Sequence, residues 1–273
     1  MMNPADAFRW AWEEIFHRSN EVQFLKSLGG GSISAVYRID SAEGVFVMKL
    51  NSVSRHPGLF DAEAQGLQLL AETATVRVPE VLGVAKFQQQ QVLLLEWIET
   101  APAQKNFSAE LGSSLAALHR HSAERFGLAH HNHIGSLPQD NTQEQSLPLF
   151  FMQRRLEPQL RLALRSGRLS LADLRNFERL YRRLEQWLPD EKPALVHGDL
   201  WKGNVLTGPE GLAWLIDPAV AYSCREADLA MTRLFGGFDE AFYSSYHDAW
   251  PLEAGWEERV DLWNLYPMLV HVN

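Results

Sequence analysis

Apolar residues recur at helical spacing at the start of the chain, then switch to the two-residue period of strands. From Ala5 to His17, Phe8, Trp12 and Ile15 fall on one face, which predicts an opening amphipathic helix. Ile33, Ala35, Tyr37 and Ile39 then alternate with polar or small residues as in a half-buried strand. After the turn Ser41-Ala42-Glu43-Gly44, Val45-Phe46-Val47-Met48-Lys49-Leu50 is a β-rich run with a single charge. Helical spacing returns between Leu59 and Leu70, where Leu59, Glu63, Gly66 and Leu70 share one face. The glutamine run Gln88 to Gln91 reads as a hairpin tip before an apolar strand from Val92. That strand ends in Glu96-Trp97-Ile98-Glu99, with Pro102 beyond.

Past Pro102 the pattern is mainly helical. Ser108 is placed to cap a helix carrying Leu111, Leu115 and Leu118. Ser170 with Asp173 is placed to cap one carrying Leu174, Phe177, Tyr181, Leu184 and Leu188. Leu262, Leu265, Tyr266 and Leu269 read as another. The expected fold class is therefore α+β, with a small β-rich part first and a larger helical part after it.

Composition narrows the function classes. A chain of 273 residues with 46% apolar content can bury a large core, as one unit or two lobes. Lys+Arg 25 against Asp+Glu 34 gives a net charge of −9, which argues against a nucleic-acid or anionic-membrane surface. One cysteine, Cys224, rules out an internal disulfide framework and suits a reducing compartment. The start, Met1 to Asp6, lacks the basic residues and apolar core of a signal peptide, and no apolar run approaches the roughly 20 residues of a membrane span. A cytoplasmic enzyme is the expectation.

The chemistry concentrates in His197-Gly198-Asp199-Leu200-Trp201-Lys202-Gly203-Asn204, followed by Ile216-Asp217-Pro218. Asp and Asn five apart, with a second Asp after a following strand, match the catalytic loop of kinases. Phosphoryl transfer from a nucleotide needs one carboxylate to accept the proton of the attacking hydroxyl, here Asp199. It also needs an amide and a carboxylate to hold Mg²⁺, here Asn204 and Asp217. The apolar run Leu212 to Ile216 would deliver Asp217. The competing reading is a polar loop closing a hairpin, with Asp199 and Asn204 as turn residues.

A kinase makes three further demands. The turn Gly29-Gly30-Gly31-Ser32 can cover phosphates with its backbone. Lys49 closes an apolar strand and can reach the phosphates, although a lone strand Lys can equally snorkel to the surface. Glu63 points along the apolar side of its helix, where an unpaired charge is expensive, so Lys49 is its expected partner. Each signal is weak alone. Their order along the chain, with the catalytic loop, is what points to ATP and Mg²⁺. In kinase-like folds the exit Glu96, Trp97 and Ile98 is the hinge between lobes, whose backbone binds the adenine edge. That divides the chain into a lobe over 1–97 and a lobe over 98–273.

With these residues in place, the chain resembles the fructosamine kinase (ketosamine-3-kinase) family of the protein-kinase-like and aminoglycoside-phosphotransferase-like superfamily. The likeness is carried by GGGSIS, VMKLN, FDAEAQGLQLL, HGDLWKGN and IDPAVAYSCREADLAM. It extends to Phe126-Gly127-Leu128, Asn132, Ile134-Gly135 and Gln139-Asp140-Asn141, and runs from about Phe8 to the C-terminus. It implies a bilobal kinase-like fold and ATP-dependent phosphorylation of a sugar hydroxyl in ketosamines, free or borne on a glycated protein. It further implies that Trp201 packs on the substrate and that Asp228 holds the backbone of the catalytic loop. An aminoglycoside- or choline-type kinase, or a nucleotide-binding regulator without turnover, are the alternatives.

Several features depart from that pattern or tempt another reading. Many relatives carry a Cys where Ser32 stands, so redox switching there is not expected. Ser146 to Met152 lack a Trp usual before the Phe-Phe pair. Relatives continue past the matching His-x-Asn with a turn and a closing helix, which implies a shortened chain or a member without that helix. His130, His131 and His133 have no Cys or carboxylate at zinc spacing and read as a solvated loop.

Overall fold

The computed structural model describes residues 3–29 and 33–273. Asn3 caps the first helix, its side-chain oxygen accepting a hydrogen bond from Ala5 N at 3.0 Å. Pro4 occupies the first turn, where its missing N–H costs nothing, and α1 runs over Pro4–Phe16. The next strands are β1 (Val22–Leu28), β2 (Ala35–Ser41) and β3 (Gly44–Ser52). Helix α2 (Leu59–Glu72) follows, then β4 (Val81–Phe87) and β5 (Gln90–Glu96). The five strands form one antiparallel sheet in the order β1-β2-β3-β5-β4.

Alternation along β3 sorts its side chains between two cores. Met48 and Leu50 join Val92, Leu94 and the α1 residues Phe8 and Trp12 on one face. Val47 lies on the other, with Leu93, Leu95 and the α2 residues Phe60, Leu67 and Leu70. Lys49 has the parity of Val47, so it points toward α2 and away from α1. The glutamine run is only partly a hairpin tip. Gln88 and Gln89 make the turn, while Gln91 sits in β5, fully buried, with Nε2 donating to His56 O at 2.6 Å.

Beyond Glu96 the chain turns helical. Helix α3 spans Phe107–His119 and its cap position is Asn106, with no side-chain cap bond. Ser108 is therefore not the cap expected from the sequence. It lies inside the first turn, and its hydroxyl donates instead to Asp239 at 2.8 Å, a tertiary partner. A short hairpin follows, β6 (Asn132–Ile134) with β7 (Leu137–Gln139). Helix α4 (Leu147–Phe150) runs into a π-helical turn over Phe151–Leu156 and then α5 (Glu157–Arg165).

Ser170 and Asp173 form the expected reciprocal cap of α6, Leu171–Tyr181. The helix does not continue to Leu188, however. It breaks at Arg182 and restarts as α7, Leu184–Trp187. The break turns Leu184 into the core, whereas α6 itself buries no residue completely.

The short strands β8 (Ala194–Val196), β9 (Val205–Thr207), β10 (Ala213–Leu215) and β11 (Ala221–Ser223) pair as β8 with β11 and β9 with β10. Helices α8 (Glu226–Leu234), α9 (Glu240–Ala249) and α10 (Trp256–Val272) complete the chain. Cys224 is buried, and burial pushes its thiol well above the usual range. Among the described residues, no helix is long and apolar enough to cross a membrane.

Candidate active site

Two antiparallel pairs set the site. The pair β9 and β10 carries Asn204 just before its first strand and Asp217 just after its second. The pair β8 and β11 places His197 to Asp199 beside Ala219 and Val220. Ile216 N donates to Asn204 O at 3.1 Å and Ala219 N to His197 O at 2.9 Å, so the catalytic loop and the Asp217 segment are tied at both ends.

Side chains complete the link. His197 is fully buried; its Nδ1 faces Asp199 N at 3.3 Å and its Nε2 faces Ile216 O at 3.1 Å. An N–H donor on one side and a carbonyl acceptor on the other assign the neutral ring with the proton on Nε2. Burial lowers the His197 pKa, in keeping with that form. Asp228 accepts from His197 N at 2.7 Å and from Gly198 N at 2.8 Å, and meets His119 Nε2 at 3.2 Å. Burial works against its charge, but His119, His197 and the Gly198 amide outweigh it, so its carboxyl lies below the usual range. Asp228 thus holds the loop backbone, the part implied for it by the family resemblance. Glu226 has a different task, forming a buried ion pair with Arg259 at 2.6 Å.

Asn204 Nδ2 donates to Asp199 Oδ2 at 3.0 Å and to Asp199 O at 2.8 Å. Burial pushes the Asp199 carboxyl up to about 7, with the Asn204 hydrogen bond pulling the other way. From the sheet, Lys49 Nζ donates to Glu63 Oε1 at 2.6 Å and also bonds Asp217. Burial opposes the Lys49 charge, but Glu63 and Asp217 outweigh it and raise its pKa. Asp217 has φ of +55°, a left-handed conformation uncommon outside glycine and costly to hold.

These groups face one cavity of about 390 Å³, lined by Lys49, Glu63, Asp199, Trp201, Asn204 and Asp217. Trp201 is 38% exposed, and its ring meets Phe235 edge-on at 5.8 Å. Phe235 in turn lies 5.3 Å from the His271 ring, and both line the same cavity. Sequence spacing does not mark Phe235 or His271 as cavity residues. They lie 34 and 70 residues beyond Trp201, and no local spacing connects them.

Gly29 is exposed at the end of β1, and Gly30, Gly31 and Ser32 lie outside the described residues. Glu96, Trp97 and Ile98 do not line this cavity. The Trp97 ring lies under the Arg38 guanidinium at 4.7 Å, and Ile98 is buried. Among the described residues, no group of three or more His, Cys, Asp or Glu is arranged to hold a metal. His131 Nδ1 instead accepts from Asn141 N at 3.0 Å.

Known proteins resemble this chain along nearly its whole length. The profile of the family described as "Fructosamine kinase" matches residues 6–273. A "Probable ketoamine kinase" of Enterococcus faecium is 37% identical over 246 residues, covering 89% of this chain and 87% of that protein. The crystal structure named "Putative fructosamine-3-kinase" from Thermobifida fusca superposes with a TM-score of 0.85 at 35% identity, covering 99% of this chain and 92% of that one. Its counterpart from Haemophilus somnus reaches a TM-score of 0.88 at 27% identity, covering 98% and 92%. With nearly its whole length matched at this level, the chain belongs to the fructosamine kinase family.

Proposed function

We propose that this protein is an ATP-dependent kinase that phosphorylates a hydroxyl of a ketosamine. The observation that carries the reading is that Lys49 with Glu63, Asp199 with Asn204, and Asp217 all face one cavity, with Trp201 at its side. Family membership supports the phosphotransferase class and ATP as donor. The relatives' names support the ketosamine as acceptor.

Asp199 accepts the proton of the attacking hydroxyl. Its partly buried carboxyl, raised to about 7, is poised for that exchange near neutral pH. Asn204 directs its amide hydrogens at Asp199, which leaves its Oδ1 for a cation, and Asp217 adds a carboxylate to the same cavity. Two hard oxygen donors suit Mg²⁺. When bound, the metal neutralises charge that builds on the transferred phosphoryl group. Lys49, kept protonated by two carboxylates, binds the phosphates, and Glu63 orients it. Asp199 and Trp201 are two residues apart, so a sugar beside the indole lies next to the base.

Glu96 pairs with Phe46, three residues along β3 from Lys49, or roughly 10 Å at the rise of a strand. That span suits a nucleoside laid between the exit strand and the lysine, which supports reading the backbone of Glu96 to Ile98 as the partner of the adenine edge. The same reading sets the boundary between the proposed lobes at Trp97. The acceptor end of the cavity opens past Phe235, which is 50% exposed, so the amine substituent can lead outward to a free amino acid or to a protein chain.

The test is ADP release with Mg·ATP across fructose-, ribulose- and erythrulose-amines, with kanamycin and choline as controls. Turnover restricted to ketosamines is expected. Turnover restricted to kanamycin or choline would overturn the acceptor assignment, and none with any acceptor would overturn the kinase.

A further inference from the structure

Behind the Asp217 segment lies a buried polar network that the reaction as described does not use. Gln139, at the end of β7, donates from Nε2 to Ala219 O at 3.0 Å and to Asn132 Oδ1 at 2.9 Å. Asn132, at the start of β6, donates from Nδ2 to Val220 O at 2.8 Å. Asn141 Nδ2 donates to the same Asn132 oxygen at 2.8 Å, and Arg155 Nη2 donates to Asn141 Oδ1 at 2.7 Å. From α10, the Tyr266 hydroxyl donates to Gln139 Oε1 at 2.8 Å. Asn132, Gln139, Asn141, Arg155 and Tyr266 are all buried.

The two carbonyls taken by this network belong to the second and third residues after Asp217. Asp217 itself holds φ of +55°, a conformation that persists only where its surroundings over-determine it. On its N-terminal side the ladder supplies that control, through Leu215 N to Arg77 O at 2.8 Å and Ile216 N to Asn204 O. On its C-terminal side, Ala219 N is held by His197 O, and the carbonyls of Ala219 and Val220 are held by Gln139 and Asn132. Tyr266 fixes which way the Gln139 amide faces, because its hydroxyl donates to Oε1 and so turns Nε2 toward Ala219 O.

We propose that Gln139, oriented by Tyr266 and supported by Asn132, is a positioning residue that holds the Asp217 carboxylate in its cation-binding posture. This rests on the reading of Asp217 as a metal ligand. Gln139 and Tyr266 thereby act on metal affinity through the backbone that follows Asp217, while other residues of the hairpin and of α10, Asn132 and His271 among them, line the cavity itself. Hydrogen-bond partners one step behind a ligand typically govern metal affinity by about 10–100-fold.

The experiment measures Mn²⁺ binding by electron paramagnetic resonance in the presence of ADP, and metal-free ATP binding by calorimetry. Wild type, Asp217→Asn, Gln139→Met and Tyr266→Phe are compared, each with its melting temperature. Gln139→Met keeps the volume and removes the donor. Mn²⁺ affinity is expected to fall roughly tenfold, with metal-free ATP affinity unchanged. Tyr266→Phe, the milder change, should shift Mn²⁺ affinity in the same direction by less, and it decides the matter if Gln139→Met fails to fold. Unchanged Mn²⁺ affinity in a folded variant, or equal weakening of Mn²⁺ and metal-free ATP, overturns the proposal. If Asp217→Asn itself leaves Mn²⁺ binding intact, the metal-ligand reading fails instead, and the positioning role falls with it.

Discussion

A β-carbon at Gly198 would lie 2.1 Å from the carbonyl oxygen of Ala219. Gly198 also has φ of +82°, where a side chain costs roughly 1–2 kcal/mol before any clash. The catalytic loop therefore lies directly on the backbone that follows Asp217, and glycine sets the spacing between the proposed base and the proposed metal ligand. Gly198→Ala is expected to lower the melting temperature and to lower kcat by more than the loss of folded protein explains. Calorimetry, with kcat measured well below the transition, checks both. Wild-type kcat in the alanine variant would show that this spacing does not govern the chemistry.

Asp199→Asn keeps the shape of the side chain and removes the proposed proton acceptor. A lost general base costs roughly 100-fold or more in kcat, and ATP affinity should stay near wild type because Lys49 and Asp217 are untouched. The carboxyl, raised to about 7 by burial, is protonated below that pH and ionised above it. The ketosamine kcat/KM should therefore rise with pH and level off above about 7. A carbon-13 carboxyl titration of the free enzyme reads the same group directly, and the signal should vanish in Asp199→Asn.

Much of the fold and site is legible in the sequence where the controlling physics is local. The parity of Lys49 in β3 and the helical spacing of Glu63 place both toward the cleft, and their 2.6 Å contact follows. Motif spacing likewise brings Asp199, Asn204 and Asp217 together. Local reasoning fails where a distant group wins. Ser108 looks like a cap but gives its hydroxyl to Asp239, 131 residues away. The helix after Ser170 breaks at Arg182, and Leu184 beyond the break is buried in the core. Gln139 and Tyr266 are 127 residues apart, and Asn132 reaches a carbonyl 88 residues away. Nothing in local spacing marks such pairs, although polar residues next to short apolar strands are a weak sign of them.

Asp228 gives a prediction in stability. It accepts from two buried loop amides, and Asp228→Asn leaves one of them facing an amide group that cannot accept. An unsatisfied buried donor costs about 1–3 kcal/mol, so the melting temperature should fall at neutral pH. The sign with pH follows from the direction of the shift. The folded carboxyl lies below its ordinary 3.8, so its stabilisation is present above that pH and is lost as pH falls through the lower folded value. The gap between wild type and Asp228→Asn should be full at neutral pH and close in acid, as melting scans across that range will read. A gap independent of pH would assign the loss to packing.

The indole of Trp201 lies across Gly203, where a β-carbon would come within 2.1 Å of Trp201 Cη2. The ring is 38% exposed and faces the cavity, so its removal should cost more in substrate binding than in stability. If it packs on the sugar, Trp201→Ala loses about 0.5–1.5 kcal/mol beyond buried area, roughly a tenfold fall in kcat/KM for the ketosamine. Gly203→Ala keeps the tryptophan but forces the ring from its place, so it should raise the same KM while leaving the ring able to pack elsewhere. In both variants the KM for ATP should hold, because the residues proposed to bind phosphate and metal are unchanged. Melting temperature measured beside both KM values separates a substrate platform from a core residue. A destabilised Trp201→Ala protein with an unchanged ketosamine KM would remove the indole from the acceptor site, and an unchanged KM in Gly203→Ala would show that its present orientation is not the one the substrate meets.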